Sequence, residues 1–276
     1  MRPQPGLSIV VPAYNEQDRL GPTIRSYLEY CRARRLAAEL IVVDDGSLDG
    51  TSVLVERLSG EYPELRLIRL AENRGKGYAV RTGVVNARGQ LVLFADADAA
   101  TPLSELERLE AAIHAGADVA IGSRALAGEG VQVRARLYRR VIGRAFHFLV
   151  RTLTVKSVKD TQCGFKLFRG AVAHDLFSRM RMNGFSFDVE LLMMAQRRGY
   201  RVAEVPVNWV HQPGSKVNLA LDSVRMARDL FVIRGHHLSG EYNNPHLAPW
   251  TDQSGESPVG GESPDRKSMA LSPTRL

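Results

Sequence analysis

Leu91-Val92-Leu93-Phe94-Ala95-Asp96-Ala97-Asp98 carries five apolar residues straight into two carboxylates spaced one residue apart. A short unbroken apolar run that stops at polar residues is the pattern of a strand buried on both faces, as in a parallel sheet. Similar runs lie at 7–11, 39–43, 65–70 and 118–121, and the amphipathic stretches between them predict helices over 20–35, 51–59, 78–87 and 103–115. The last of these opens with Thr101-Pro102, an N-cap residue followed by proline at the first helical position. Strand and helix alternating in this way predict an α/β fold with a mostly parallel central sheet. Beyond residue 122 the order becomes a basic helix, a strand at 164–168, a helix at 187–198, a strand at 202–207 and a last helix ending near 234. Ligands of an open parallel sheet bind outside the carboxyl ends of its strands. Asp96 and Asp98, and the Asp44-Asp45-Gly46-Ser47 stretch after the second run, stand at such ends.

The rest of the composition narrows the function classes. Of 276 residues, 44% are hydrophobic, which supplies a sizeable core and excludes wholesale disorder. No apolar run approaches the roughly 18 to 20 residues that span a bilayer, and the first strand begins too close to Met1 for a signal peptide. The expectation is a cytoplasmic protein. Cys31 and Cys163 lack metal-ligand spacing and read as small buried hydrophobes; Met193 and Met194 also read as core. Residues 1–235 hold 34 Lys and Arg against 25 Asp and Glu, whereas residues 236–276 hold three against five, with 15 Gly, Pro or Ser. The first part reads as one domain and the second as a disordered tail.

Asp96 and Asp98, at i and i+2 on leaving a strand, turn to the same side and can share one divalent cation. Their other reading is a turn that caps the following helix. Asp44-Asp45-Gly46-Ser47 has the same two readings. Asn73-Arg74-Gly75-Lys76-Gly77 sits between a strand and a helix, where its glycines and Lys76 suit an anion. It lacks the spacing of a Walker A loop, and no GxGxxG follows the first strand, so P-loop ATPases and dinucleotide dehydrogenases are excluded.

Taken in order, Pro12-Ala13-Tyr14-Asn15-Glu16, Asp44-Asp45-Gly46-Ser47, Asn73-x-Gly-Lys-Gly and Asp96-x-Asp resemble the family 2 glycosyltransferases of the GT-A fold. The resemblance continues through Gly122-Ser123-Arg124, the 160–168 stretch Asp-Thr-Gln-Cys-Gly-Phe-Lys-Leu-Phe, Phe187-Asp188-Val189-Glu190, Val207-Asn208-Trp209 and Gly214-Ser215-Lys216. This longer set is similar to the dolichyl-phosphate β-glucosyltransferase branch. The resemblance implies a Rossmann-like nucleotide-diphospho-sugar transferase in which Pro12, Ala13, Tyr14, Glu16, Asp44, Asp45, Lys76 and Asp96 contact the nucleotide. It further implies that Asp96 and Asp98 hold Mg²⁺ or Mn²⁺ and that Arg124 and Lys166 neutralise phosphates. Asp188 and Glu190 would stand where many members keep a catalytic base, so Asp98, Asp188, Arg124 and Lys166 form the expected catalytic set. The implied reaction is inverting transfer of glucose from UDP-glucose to a polyprenyl phosphate of the dolichyl or undecaprenyl type. Mannose synthases of the superfamily carry Gln two residues after the DxD, where this chain has Ala100; that favours glucose over the GDP-mannose reaction. The same residues also admit transfer to a soluble saccharide or, without catalysis, a membrane-binding module.

Eukaryotic members of that branch carry an N-terminal membrane helix and several bacterial polyprenyl-phosphate transferases carry C-terminal ones, and neither is seen in this sequence. Residues 131–155 offer a substitute, because they contain no Asp or Glu. At 100° per residue Arg136, Arg140, Arg144, His147 and Arg151 fall within an arc of about 80°. Leu137, Val141, Ile142, Ala145, Phe148 and Leu149 occupy the other side. Such a helix suits an anionic membrane interface, with Leu137, Val141 and Phe148 inserted and Arg136, Arg139 and Arg140 near the acceptor phosphate. A core helix with a solvated arginine face is the plainer reading. Without an aromatic platform beside the arginines, no nucleic-acid partner is expected. Peripheral attachment to the inner face of the membrane follows as the expected location. Trp209 reads as core, or as a stacking surface for a sugar or base.

Overall fold

The computed structural model of the chain describes residues 5–126, 158–210 and 219–243, with residues 128, 133, 134 and 212 besides. The order of elements is β1 (Leu7–Ala13), α1 (Leu20–Ala33), β2 (Ala38–Asp44), α2 (Thr51–Glu61), β3 (Leu65–Arg69), α3 (Lys76–Val85), β4 (Leu91–Ala95), α4 (Leu106–His114) and β5 (Val119–Ser123). It continues with β6 (Val133–Arg134), β7 (Phe165–Arg169), α5 (Gly170–Phe177), α6 (Phe187–Arg197), β8 (Val202–Pro206), β9 (Trp209–Val210) and α7 (Leu219–Leu238). Seven strands form one sheet in the order β3-β2-β1-β4-β7-β5-β8, and β6 pairs with β9 alone. All pairings in the large sheet are parallel except those of β7, which is antiparallel to both β4 and β5. The mostly parallel α/β architecture is therefore the one expected.

Helices cover both faces, which is why β1, β2 and β4 are apolar almost throughout. Val10, Ile41, Val43, Val92 and Phe94 pack on one side with residues of α3, α5 and α6, while Ile9, Val11, Leu40, Val42 and Leu93 pack on the other with α1, α2 and α4. Period-2 alternation sends successive side chains of one strand into these two cores. Met193 and Met194 are core residues, and Cys31 and Cys163 are buried free thiols. Burial pushes Cys31 up to about 11 and Cys163 to about 12, which leaves both as inert thiols.

The reversed strand is what assembles the site. Because β7 runs against β4, its first residue Phe165 faces Ala95, the last residue of β4. The Gly164 carbonyl accepts the Asp96 amide at 3.0 Å. The stretch before β7 is thereby carried to the carboxyl ends of β4 and β5, beside the two aspartates.

Several local expectations are corrected. Pro102 is extended, with ψ 146°, and serves as the cap of a short 3-10 turn at Leu103–Glu105, so the helix does not start with proline at its first position. The helix α5 had no sequence signal. The last helix extends to Leu238 and is followed by a turn at Glu241–Asn243 with Tyr242 buried, so folded structure passes the expected boundary at 235. Leu230, Ile233 and Tyr242 supply the reason, since all three join the core. Val133 and Arg134 are in strand β6 rather than helix, because their backbones pair with Trp209 and Val210. The rest of the 131–155 segment, including Arg136, Leu137, Arg139, Arg140, Val141 and Phe148, lies outside the described residues, as do residues 244–276. Among the described residues no helix is long and apolar enough to cross a membrane.

Candidate active site

A cavity of about 410 Å³ opens at the carboxyl ends of β1, β2 and β4. Pro12, Ala13, Tyr14 and Glu16 form one wall, Asp45, Asn73, Gly75 and Lys76 another, and Asp96 and Asp98 lie between them with Arg19, Gly184 and Phe185 at the margin. Of the expected nucleotide-binding residues, only Asp44 is not on its wall.

The pair Asp44-Asp45 divides because neighbouring residues at a strand end point opposite ways. Asp44 is fully buried, with Oδ1 accepting the Ser47 amide at 3.0 Å and Oδ2 accepting the Ser52 hydroxyl. It ties the turn to the start of α2. Asp45 accepts the amides of Arg74 and Gly75 at 2.8 and 2.9 Å and so holds the Asn73–Gly77 loop against β2. Burial pushes its carboxyl above the usual value, and the two amides oppose that. Gly46 takes a positive φ of 69°, and a Cβ there would lie 2.4 Å from the Glu72 carbonyl carbon, so this turn admits only glycine without rearrangement.

Lys76 projects from the first turn of α3 to Asp96, with Nζ 2.7 Å from Oδ1. Its ammonium is also 5.4 Å from the Phe94 ring centre. Burial disfavours the charge, but Asp96, Asp188 and Asp98 outweigh it and raise the Lys76 pKa. Asp98 accepts the Ala100 amide at 3.1 Å, and burial followed by the neighbouring Asp96 charge raises its carboxyl. Ala99 completes this turn with a positive φ of 49°.

Arg124 forms a two-pronged pair with Asp160, at 2.7 and 2.8 Å, and its own amide donates to the same carboxylate at 2.9 Å. Burial works against the guanidinium, yet the Asp160 charge raises it strongly, and Arg124 in turn holds Asp160 below the usual range despite burial. The guanidinium lies 5.4 Å from the Trp209 ring centre. Trp209 is half-buried and borders a small recess with Tyr27, Asp96, Ala100 and Gly164, so its place is the rim of the site and not the core.

Lys166 and Asp188 differ most from expectation. Lys166 is completely buried, and its Nζ donates to Asp188 Oδ1 and to the Cys163 carbonyl, both at 2.6 Å. It is not among the residues that line the cavity, and in this structure its ammonium is the buried counter-charge of Asp188. Burial pushes the Asp188 carboxyl up, and Lys166 and then Lys76 pull it down. Glu190, two residues along α6 and therefore on its opposite side, faces away from the cavity: it accepts the amides of Arg181 and Met182, and the Tyr242 hydroxyl at 2.9 Å. Burial raises Glu190 as well. Of the two acidic residues in Phe187-Asp188-Val189-Glu190, Asp188 alone is near Lys76 and Asp96.

Several contributors carry too little signal in the sequence to be picked out. Asp160 and Gly164 lie within the 160–168 stretch, where nothing local gives them a role. Arg19, which is 2.6 Å from Glu16, and Phe185 come from stretches with no pattern at all.

Asp96 and Asp98 offer carboxylate oxygens to one space, the donor chemistry of a hard divalent cation such as Mg²⁺ or Mn²⁺. Among the described residues no group of three or more His, Cys, Asp or Glu could hold a metal. A cation held by Asp96 and Asp98 would draw its other ligands from outside this pair, and substrate oxygens or water suit that part, as for a cation delivered with a diphosphate.

Residues 8–177 match the model of Glycosyl transferase family 2. The dolichyl-phosphate beta-glucosyltransferase of Homo sapiens is 40% identical over 254 residues, covering 87% of this chain and 78% of that protein. Its counterpart from Saccharomyces cerevisiae is 38% identical over 256 residues, covering 86% and 77%. Glucosyl-3-phosphoglycerate synthase from Mycobacterium tuberculosis, solved with Mn²⁺ and UDP-glucose, has a TM-score of 0.59 at 18% identity, covering 88% of this chain and 81% of that one. Mannosyl-3-phosphoglycerate synthase from Rubrobacter xylanophilus gives 0.61 at 18% identity, covering 91% and 79%. These structures share the GT-A-like arrangement of sheet and helices. The order of motifs, the cavity at the strand ends and the match over most of the sheet agree, and the chain belongs to glycosyl transferase family 2 as a glycosyltransferase.

Proposed function

We propose that this enzyme transfers glucose from UDP-glucose to a polyprenyl phosphate of the dolichyl or undecaprenyl type, with inversion at the anomeric carbon. The observation that carries the reading is the convergence of Asp45, Lys76, Asp96 and Asp98 on one cavity, in a chain 40% identical to a dolichyl-phosphate beta-glucosyltransferase. The cavity takes the nucleotide between the Pro12–Tyr14 wall and the Asp45-anchored loop. Asp96 and Asp98 would hold Mg²⁺ or Mn²⁺; the cation supplies Lewis-acid stabilisation of charge on the departing diphosphate.

The remaining work falls to side chains. Lys76, placed between the cavity and Asp96, supplies a cation to the diphosphate. Arg124, held by Asp160 and beside Trp209, supplies another at the margin where the acceptor phosphate approaches. Charges preorganised in this way need no rearrangement as the transition state forms. A phosphate monoester has a second pKa of about 6 and is largely dianionic at neutral pH. It therefore attacks the anomeric carbon without a strong base, and Asp188 acts as an orienting carboxylate. The basic segment 131–155 is the part proposed to rest on the membrane surface.

The test is radiolabel transfer from UDP-glucose, GDP-mannose, UDP-galactose and UDP-N-acetylglucosamine into organic-extractable polyprenyl phosphate, with Mg²⁺ or Mn²⁺ and with EDTA. Metal-dependent labelling from UDP-glucose alone is the expected result. Labelling from GDP-mannose alone would overturn the reading of Ala100. No labelling from any donor by a protein that binds UDP would overturn the lipid acceptor.

A further inference from the structure

The loop of residues 179–186, between α5 and α6, touches the nucleotide cavity on one side and the C-terminal segment on the other. On the cavity side it packs against the loop that carries Lys76. The Asn183 carbonyl accepts the Tyr78 amide at 3.2 Å, which satisfies one of the unpaired amides at the start of α3. The contact is close: a Cβ on Gly75 would lie 2.5 Å from the Asn183 carbonyl oxygen, and one on Gly77 2.5 Å from that of Met182. Gly184 and Phe185 then form part of the cavity wall, with the Phe185 ring centre 6.0 Å from Lys76 Nζ.

On its other side the same loop is held at three points by residues that follow β9 in sequence. Ser186 donates to Asp229 of α7 at 2.7 Å. Arg181 lies 3.0 Å from Glu241. Glu190 accepts the Arg181 and Met182 amides with one edge and the Tyr242 hydroxyl, at 2.9 Å, with the same carboxylate. Tyr242 is buried and packs edge-on against His236 at 6.1 Å. The C-terminal segment is thus connected to the Lys76 turn through three hydrogen-bond steps: Tyr242 to Glu190, the Arg181 and Met182 amides to Glu190, and the Tyr78 amide to Asn183.

We propose that Tyr242 and Asp229 are positioning residues for the donor site: they fix the 179–186 loop, and the loop fixes the Lys76 turn and the Phe185 wall against a nucleoside diphosphate. The inference rests on the reading of the cavity as the nucleotide site. A buried carboxylate shared by two amides and a hydroxyl is a rigid fastening, because each donor removed leaves buried polar surface unmatched. The loop's conformation is set from outside the sheet by a segment far away in sequence.

The experiment uses the whole 276-residue chain and its variant Tyr242→Phe, which keeps the ring and removes the hydroxyl. Hydrogen exchange without ligand reads the fastening, and UDP binding with Mn²⁺ by calorimetry reads the site. Faster exchange at both 179–186 and 75–79, with UDP binding weakened roughly fivefold and the overall melting transition retained, is the expected result. Donor KM should rise while kcat stays within about twofold of the wild type. Unchanged exchange at 75–79, or unchanged UDP affinity, would overturn the proposal. Ser186→Ala, which breaks the other fastening, decides the matter in the same way if Tyr242→Phe does not fold. Wild type that fails to bind UDP while the exchange of 75–79 still responds to Tyr242→Phe would overturn the nucleotide reading and leave the mechanical coupling standing.

Discussion

Lys76 Nζ and Asp96 Oδ1 are 2.7 Å apart, so one of the two carboxylates suited to a divalent cation is neutralised by an ammonium from the 73–77 loop. A divalent ion at Asp96 and Asp98 would compete with the ammonium for the same charge. Lys76→Met is expected to raise affinity for Mn²⁺ alone by roughly threefold to tenfold and to weaken UDP binding, because it removes a positive charge from both partners' neighbourhood. Mn²⁺ titration by electron paramagnetic resonance, with and without UDP, checks this. Unchanged Mn²⁺ affinity would mean that Lys76 does not compete.

Gly164 is opposed to Asp96 so closely that a Cβ at 164 would lie 1.9 Å from Asp96 Oδ2 and 2.2 Å from its Cγ. Gly164→Ala forces the carboxylate out of its place while leaving every charge present. Activity should fall by about 100-fold, the scale expected for misplacing a reacting or ligating group by an ångström. The melting transition should change little, and steady-state rates beside a thermal melt separate the two effects.

Lys166 and Asp188 form a buried pair, and removing one member of such a pair costs about 3–5 kcal/mol because the other charge is left unmatched. Asp188→Leu should therefore destabilise severely, and the double change Lys166→Met with Asp188→Leu should recover most of the loss. Denaturant titration of both variants measures it. Asp188→Asn should reduce activity less than Asp98→Asn; equal and complete loss in folded protein would make Asp188 a true base.

Asp160 provides a pH test. Burial raises its carboxyl, but the Arg124 charge and hydrogen bonds overcome that and hold it below its ordinary 3.8. A depressed carboxylate contributes stability that is fully present above the unfolded value and lost as pH falls through the lower folded one. The stability gap between wild type and Asp160→Asn should be constant from neutral pH down to about pH 4 and should close below it. Urea unfolding across that range would show the opposite trend if Asp160 were not held by Arg124.

Much of the fold was legible because its signals are local. Strand β4 was bounded to the residue, Leu91–Ala95, since an apolar run buried on both faces ends where the first carboxylate appears. Helix α5 was missed: Gly170 to Phe177 follows a strand without a break, and nothing in Gly-Ala-Val-Ala-His-Asp-Leu-Phe opens or caps it. Within the site, Asp96, Asp98 and Lys76 were legible from their places after strands and before a helix. The roles of Asp44 and Asp45 were not separable, because which of two adjacent aspartates faces the cavity depends on the exit angle of β2.

By itself the sequence determined the alternation of strands and helices and the carboxylates that stand at strand ends, which follow from residue type and short spacing, and it carried the ordered motifs by which the chain resembles its family. Only the tertiary structure decided which buried charges and hydroxyls are spent on each other. Lys166 with Asp188, Arg124 with Asp160, and Glu190 with Tyr242 are brought together across 22, 36 and 52 residues. The antiparallel insertion of β7 and the docking of α7 set those distances, and burial then gives each pair an energy that no local pattern records.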